Sequence, residues 1–319
     1  MKVKNTLFFA AIILFSTLFI QCSEDEDESV ISKGSLAIKV TDAPSDDATV
    51  QGTFITVSEV KVDGEPVEGF SKQTIEISAY QQGDAKLLIN EDVEAKSYSS
   101  ISLVLDFETD EAGNSPGCYV LTDDNTKHDL RAESQSESEM TFTSDFEVES
   151  QTQSTWVIDF DLRKAVTREE DSSTDTEYNF VTSSEMQNAI RIVKEENSGE
   201  IKGNVSGSFT TGDELYVYAY HKGDFDASSE TQAHGTSDVL FANAVTSARV
   251  EDDGSYTLAF LQEGDYEIHV ASYEQENDEK SEYKALLQVN SIVSGILLNN
   301  VSVSSETTVE VDINVLGLI

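Results

Sequence analysis

The sequence predicts an all-β protein with two β-sandwich-like domains. Short runs in which apolar and polar residues alternate recur along the chain, and this period-2 pattern is typical of half-buried strands. Turn signals such as Asp63-Gly64 and Asp253-Gly254 separate the runs. Only 3 prolines occur in 319 residues, and Val, Ile, Thr, Tyr and Phe are frequent, which favours strands over helices.

The first 22 residues have the pattern of a bacterial lipoprotein signal peptide. Lys2 and Lys4 form a positive start, and Leu7–Ile20 is an apolar run too short for a comfortable transmembrane helix. The run ends at Gln21-Cys22, which resembles a lipoprotein processing site, although a small residue is usual where Gln21 stands. We therefore predict a signal peptide over residues 1–21 and a membrane anchor through lipid on Cys22. The alternative is an uncleaved anchor, or a simple signal with an incidental cysteine.

Residues 22–33 are acidic and polar and are expected to form a solvated tether. Glu24–Glu28 resembles the surface-export signal of lipoproteins of the Bacteroidota type. This resemblance implies an outer-membrane lipoprotein exposed at the cell surface. A flexible spacer with no addressing role is the alternative.

The composition restricts the partners of the chain. Asp and Glu total 61 against 20 Lys and Arg, which gives a formal charge of -41. Such a surface repels phosphate backbones, so nucleic-acid binding is not expected. With Cys22 assigned to lipid, Cys118 has no partner for an intramolecular disulfide, and we expect it to be a buried apolar residue.

The first domain is predicted over residues 34–194. Its opening strand alternates Leu36, Ile38 and Val40 and ends at Pro44, which cannot donate to a sheet ladder. The strongest alternation has Trp156, Ile158, Phe160 and Leu162 on one face of a strand. The predicted elements are, in order, strands at Gly34–Pro44, Phe54–Val62, Thr74–Ile77, Ala85–Ile89, Tyr98–Phe107, Tyr119–Leu121, Lys127–Leu130, Thr141–Val148 and Trp156–Leu162, a short turn at Arg163–Val166, a charged loop at Arg168–Thr176 and a closing segment at Asn179–Val193.

A polar linker at Glu195–Ser198 leads to a second domain over residues 199–319. About seven short strands separated by frequent turn signals are typical of a β-sandwich of immunoglobulin or transthyretin type. The predicted strands are Gly199–Val205, Leu215–Tyr220, Ala244–Val250, Tyr256–Phe260, Tyr266–Ala271, Leu286–Val289, Ile296–Val301 and Thr308–Val315, with a long polar loop at Gly223–Thr236.

Three stretches of the first domain together resemble a known family. They are Val40-Thr41-Asp42-Ala43-Pro44, Asp159-Phe160-Asp161, and Met186–Val193 with its ending Ile190-Arg191-Ile192-Val193. Over residues 34–193 the chain resembles the domain-of-unknown-function 4382 family of bacterial lipoproteins. Members often have a Pro-Ala-Gly-x-Tyr turn before their long central strand, whereas this chain keeps only Tyr98 of it. The resemblance implies architecture and location, but no activity.

The second domain is similar to carboxypeptidase-regulatory-like, transthyretin-like modules. The similarity lies in Gly199-x-Ile201-x-Gly203-x-Val205, Asp253-Gly254-Ser255-Tyr256 and Gly264-Asp265-Tyr266. It implies an accessory spacer or binding module, in which a turn precedes a strand with an inward-facing tyrosine.

Catalysis by a serine or cysteine nucleophile requires a histidine oriented by a carboxylate. The histidines His128, His221, His234 and His269 show no such spacing, so we do not expect an enzyme. A metal site formed by His221 and His234 with Asp224 or Asp226 is not favoured, because the sequence has no short-spaced ligand pair there. We expect these two histidines to lie in solvated loops. Asp159 and Asp161 carry no glycosidase signature; Asp161 is expected to cap a turn or to pair with Arg163 or Arg191.

The oxygen-rich segment from Thr41 to Asp47 is a candidate site for a structural calcium ion, with Asp42, Asp46 and Asp47 as ligands and no other cofactor expected. Asp42 before Ala-Pro could equally form a turn.

Tyr216, Tyr218 and Tyr220 alternate along one strand. They could form an exposed platform that stacks on sugars, although an ordinary sandwich face gives the same spacing and is favoured.

These observations favour a non-enzymatic, lipid-anchored protein of the cell envelope that serves adhesion, envelope structure or ligand capture, with a glycan or a protein as ligand. The alternative is a glycan-binding accessory lipoprotein of a polysaccharide-uptake system. A hydrolase is a remote third hypothesis.

Overall fold

Strands dominate the computed structural model, which describes residues 32–47, 49–132, 138–170, 176–210, 212–274 and 281–319. The all-β prediction is therefore confirmed. The predicted signal peptide over residues 1–21, Cys22 and the tether up to residue 31 lie outside the described residues. Residues 32–319 form one compact unit. It contains separate apolar cores on either side of the predicted linker at Glu195–Ser198.

The first part of this unit holds thirteen described strands, two short α-helices and a 3-10 turn at Ile77–Ala79. The strands and α-helices are β1 Lys33–Ala43, β2 Val50–Val62, β3 Glu65–Pro66, β4 Gln73–Glu76, β5 Lys86–Glu94, β6 Ser97–Leu105, β7 Tyr119–Thr122, β8 Lys127–Arg131, β9 Glu139–Glu147, β10 Gln153–Asp161, α1 Leu162–Ala165, β11 Val166–Glu170, β12 Thr176–Phe180, α2 Ser183–Ala189 and β13 Ile190–Lys194.

The second part holds nine described strands and one helical turn. They are β14 Ser198–Gly207, β15 Glu214–His221, α3 Ala227–Glu230, β16 Thr246–Arg249, β17 Ser255–Gln262, β18 Gly264–Glu274, β19 Glu282–Ser291, β20 Val301–Val303, β21 Thr308–Glu310 and β22 Ile313–Leu318.

Two sheets form the first sandwich. A small sheet has the order β13-β10-β1-β5, and a large sheet has the order β11-β12-β8-β7-β2-β6-β9, with β3 and β4 paired to β2. The core between them includes Ile38 and Ile158 from the small sheet and Val57 and Leu103 from the large one, all fully buried. The predicted alternation of these strands therefore buries one face of each, as expected for a sandwich.

Strand β10 of the small sheet is buried on both faces over most of its length, because the second sandwich covers its outer side. Trp156, Ile158 and Phe160 face the core of the first sandwich. Val157 and Asp159 of the same strand are also buried, and the guanidinium of Arg191 on β13 reaches the Phe260 carbonyl of β17 at 3.1 Å. The alternation of apolar residues predicts burial of one face of β10, whereas the structure buries both faces.

The second sandwich is one continuous ladder that folds back on itself. Its order is β16-β15-β18-β19-β22-β14-β17, with β20 paired to β18 and β21 paired to β14. Tyr256 and Tyr266 are buried as predicted, and their hydroxyls donate to the carbonyls of Val311 and Gln262. Gly203 allows β14 to approach the Val311 carbonyl so closely that a Cβ atom would collide with it.

Residues 222–245, which we call the strap, cross the tyrosine face of β15. The predicted loop at Gly223–Thr236 contains the turn of α3, and the Asp226 side chain caps it by accepting from the Ser228 amide at 2.9 Å. Phe241 of the strap stacks on Tyr218 with ring centroids 4.2 Å apart. The strap therefore lies between the tyrosine face and the first sandwich.

Candidate functional site: a buried charged junction

The parallel pairing of β1 and β10 brings three carboxylates to one end of the small sheet. Thr41 lies opposite Asp159 in the register, and Ala43 lies opposite Asp161. Because parallel strands end at the same edge, Asp42, Asp159 and Asp161 converge there. All three are buried against the second sandwich. We call this contact region, with α1, Arg191 and the strap, the junction.

Each of two carboxylates in the junction has a cationic partner. Asp159 pairs with Arg191, which lies directly opposite it on β13. Asp161 accepts from Arg163 at 2.9 Å and lies 3.2 Å from the Lys164 ammonium. The pairing of Asp161 with Arg163 confirms one of the sequence-based alternatives, whereas Arg191 belongs to Asp159. A buried ion pair of this kind adds little net stability, but the removal of one partner is costly.

The same cations connect the two sandwiches. Arg163 donates to the carbonyls of Leu240 and Phe241 in the strap, and Lys164 donates to the Ala244 carbonyl at 2.7 Å. The Arg163 guanidinium also lies 5.3 Å from the ring centroid of Tyr218, in cation–π geometry. The short α1 turn thus inserts two charges beneath the strap.

Further contacts surround this centre. The Tyr216 hydroxyl donates to the Ser45 carbonyl at 3.0 Å, and Gln82 donates to Glu251. The Glu185 carboxylate on α2 accepts from the Thr236 amide at 2.9 Å and from the hydroxyls of Thr236 and Ser237. The strap is therefore held from both α1 and α2 of the first sandwich.

The tyrosines of β15 do not form an exposed platform, so that hypothesis is wrong. Tyr216, Tyr218 and Tyr220 are at most 1% exposed. The Tyr218 hydroxyl bonds to Tyr273 at 2.7 Å, and the Tyr220 hydroxyl donates to the buried Glu230 at 2.8 Å. The strap and α1 cover the rings, an arrangement that the alternation of one strand could not reveal.

Two of the three predicted calcium ligands, Asp42 and Asp47, bind different partners. Asp42 accepts from Gln81 at 2.9 Å in the junction. Asp47 accepts from the Thr49 amide and hydroxyl and lies 3.3 Å from Arg168. Asp46 is buried nearby. Within the described ranges, no group of three or more His, Cys, Asp or Glu side chains is placed to hold a metal ion.

The histidines are engaged in packing or local hydrogen bonds. His221 stacks on Tyr266, and His269 stacks on Phe225 with centroids 3.6 Å apart. His128 Nε2 lies 3.2 Å from the Thr122 hydroxyl, and His234 Nε2 lies 3.0 Å from the Ser229 carbonyl.

Cys118 is fully buried, as predicted. Burial raises the pKa of its thiol to about 12.

Burial also changes the acidity of the junction groups. It raises the pKa of Asp42 well above its ordinary value, against the hydrogen bond from Gln81. It raises the pKa of Asp159, although Arg191 opposes the shift. It lowers the pKa of Lys164, although Asp161 opposes this shift. The junction is thus a desolvated group of charges whose partners are protein atoms.

Residues 33–181 match the family model described as Domain of unknown function (DUF4382). This match supports the resemblance drawn for the first domain. The carboxypeptidase-regulatory-like assignment of the second domain stays a prediction. No curated protein matches the chain.

Several solved structures align with most of this chain at low similarity. The Bacillus anthracis TIE protein is 8% identical with a TM-score of 0.19, over 88% of this chain and 34% of that protein. BcpA, the major pilin subunit of Bacillus cereus, is 8% identical with a TM-score of 0.20, over 89% and 70%. GBS52, the minor pilin of Streptococcus agalactiae, is 11% identical with a TM-score of 0.20, over 88% and 94%. Identities and scores this low give no basis for transferring a function.

In the described part of the chain, no helix is long and apolar enough to cross a membrane.

Proposed function

We propose that this protein is a non-enzymatic component of the cell envelope that serves adhesion or envelope structure. In this proposal the junction holds the two β-sandwiches together. Lipid on Cys22 attaches them to the outside of the cell. One observation carries the proposal: the charged groups of the junction bind protein atoms and connect the two sandwiches. Arg163 and Lys164 bind strap carbonyls and Asp161, so these side chains are not available to a substrate.

The β15 tyrosines were the best candidates for capturing a ligand by aromatic stacking, but they are buried. Glycan binding is therefore an outcome to be tested and not the favoured function. A glycan array probed with residues 33–319 separates the possibilities: silence supports adhesion to a protein or a structural role, and a reproducible hit would favour glycan binding over both.

The anchor has its own test. Cys22→Ala should release the protein from washed membranes, because acyl chains on this residue would supply the attachment. Persistence of the variant in the membrane fraction would refute the lipid anchor. Ser23→Ala, which keeps the cysteine, is the matched control.

Surface display is tested separately by protease treatment of intact cells, which should remove the protein. Replacing Glu24–Glu28 with neutral residues should abolish this sensitivity if the acidic run is an export signal. Adhesion is then measured by comparing attachment of wild-type cells with cells that express the Cys22→Ala form.

A further inference from the structure

The outer side of three neighbouring strands in the second sandwich, β19, β22 and β14, carries uncharged side chains. Asn314 on β22 lies opposite Asn290 on β19 and opposite Ser206 on β14. These side chains point away from the core, because Ile313 and Val315 on either side of Asn314 are buried. The Asn314 side chain donates to Asn290 Oδ1 at 3.3 Å, so the row of polar groups is connected across the sheet. We define the neutral face as the outer surface formed by Ser206, Gln288, Asn290, Asn314, Leu316 and Leu318.

Exposed apolar side chains are concentrated on and beside the neutral face. Leu316 and Leu318 are 51% and 58% exposed on β22. Phe209 is 40% exposed and lies near the end of β22, where the Ser208 amide donates to the Val315 carbonyl at 3.0 Å. Among the described residues, six of the seven exposed large apolar side chains belong to the second sandwich. A single exposed leucine is ordinary, whereas a concentration of them marks an interaction surface.

The segments that form this region are depleted of charge. Residues 203–210, 285–305 and 313–319 contain no Asp, Glu, Lys or Arg, in a chain of which 25% of the residues are charged. Strand β9 of the first sandwich differs, because Glu139 and Glu147 are exposed on it. The core of a protein interface is depleted of charged residues in the same way. The neutral face therefore has the composition of a contact surface.

The net charge of the protein indicates which partner fits this face. The chain has a formal charge of -41, so two copies repel each other where their acidic surfaces meet. Two copies avoid this repulsion where both surfaces are uncharged. A basic partner, in contrast, is attracted to the acidic remainder of the surface and has no electrostatic reason to bind the neutral face.

We propose that two copies of this chain associate through the neutral face as a symmetric dimer. In a twofold arrangement the same surface patch lies on both sides of the interface, so it must be complementary to itself. Leu316 and Leu318 meet this condition through apolar contact. Asn290 and Asn314 meet it because an amide side chain both donates and accepts hydrogen bonds.

The experiment is sedimentation equilibrium of residues 22–319 carrying Cys22→Ser, which removes the predicted site of lipid attachment. We expect a monomer–dimer equilibrium that depends on protein concentration. The dimer Kd should fall when sodium chloride is raised from about 50 mM to about 500 mM, because the Debye length shrinks from about 14 Å to about 4 Å and screens the remaining acidic surfaces. A dimer held by ion pairs would weaken instead.

Two variants introduce a carboxylate into the neutral face at exposed positions. They are Leu316→Glu and the nearly isosteric Asn290→Asp. Each should raise the dimer Kd by about tenfold or more, because symmetry brings two like charges into one interface. The matched controls are Leu87→Glu and Asn90→Asp, both at exposed positions of β5 in the first sandwich. They add the same charge and should change the Kd by no more than about twofold.

A monomer at every concentration in both salt conditions would overturn the proposal. A dimer that neither Leu316→Glu nor Asn290→Asp weakens would place the interface elsewhere, and equal weakening by the controls would show that net charge alone governs association. A Kd that rises with salt would refute the electrostatic argument. Circular dichroism checks that each variant is folded, and Asn290→Asp decides the outcome if Leu316→Glu is not.

Discussion

Replacing Arg163 with methionine should separate the energetic roles of the junction charges. The Arg163 side chain is 1% exposed, donates to Asp161 at 2.9 Å and binds two strap carbonyls. Methionine keeps much of the apolar stem but removes the guanidinium. Asp161 would then retain only Lys164, at 3.2 Å.

The expected loss of stability depends on the buried carboxylate that remains after Arg163 is removed. Breaking a buried ion pair by removing one partner costs about 3–5 kcal/mol, because the remaining charge stays desolvated. Lys164 still compensates Asp161 in part, so we expect about 3 kcal/mol, at the lower end of that range. Urea denaturation measures the loss directly. By calorimetry it corresponds to a fall in Tm of about 6–12 °C.

Arg131→Met is the matched control, because the Arg131–Asp129 pair is about half exposed on both sides. Exposed pairs contribute about 0–1 kcal/mol. Hydrogen exchange should also accelerate at the amides of residues 240–244 in the Arg163 variant and not in the control. A loss below about 1 kcal/mol for Arg163→Met, or equal losses in both variants, would refute the view that Arg163 connects the sandwiches.

Three further predictions concern buried titratable groups. Asp42 has a raised folded-state pKa, so the native state binds more protons and the carboxyl costs stability as pH rises above the unfolded value of about 3.9. Asp42→Asn should therefore gain stability relative to the wild type in urea denaturation between pH 4 and pH 7, and a constant difference would contradict this. In a Cys22→Ser variant, Cys118 should not react with a thiol reagent at pH 8 until urea unfolds the protein, because its pKa is about 12. Glu230→Gln should lower the free energy of unfolding by about 2–3 kcal/mol, since Glu230 accepts from Tyr220 and from the Asn243 amide and side chain. The exposed control Glu263→Gln should lower it little. Equal losses would show that Glu230 does not anchor the strap.

Strand positions were predictable wherever alternation was strong. The predicted strand at Trp156–Leu162 corresponds to β10, and the hairpin at Tyr119–Leu121 and Lys127–Leu130 corresponds to β7 and β8. The predicted loop at Arg168–Thr176 overlaps strands β11 and β12 at its ends, and residues 171–175 lie outside the described residues. Tyr178 of β12 pairs in parallel with Leu130, and such distant pairing overrides a polar local sequence.

The candidate site was only partly predictable. The carboxylates and Arg163 were identifiable as an ion-pair set, because charges within an alternating strand need partners when buried. The sequence contained no signal that α1 would carry Arg163 and Lys164 beneath a segment about 80 residues away. The Arg-Lys pair soon after the acidic strand end indicates a charged cluster there, but it does not indicate which distant segment covers that cluster.

The sequence by itself determined the all-β class, the turn positions and the burial of Cys118 and of the inward tyrosines, because these depend on local alternation and turn chemistry. It also determined the acidic balance and the lipid-anchor prediction at Cys22. Only the tertiary structure decided that Asp42, Asp159 and Asp161 meet at one sheet end, and that the β15 tyrosines lie under the strap. Parallel pairing of β1 with β10 and packing between sandwiches join residues more than 100 positions apart, and no local pattern records such contacts.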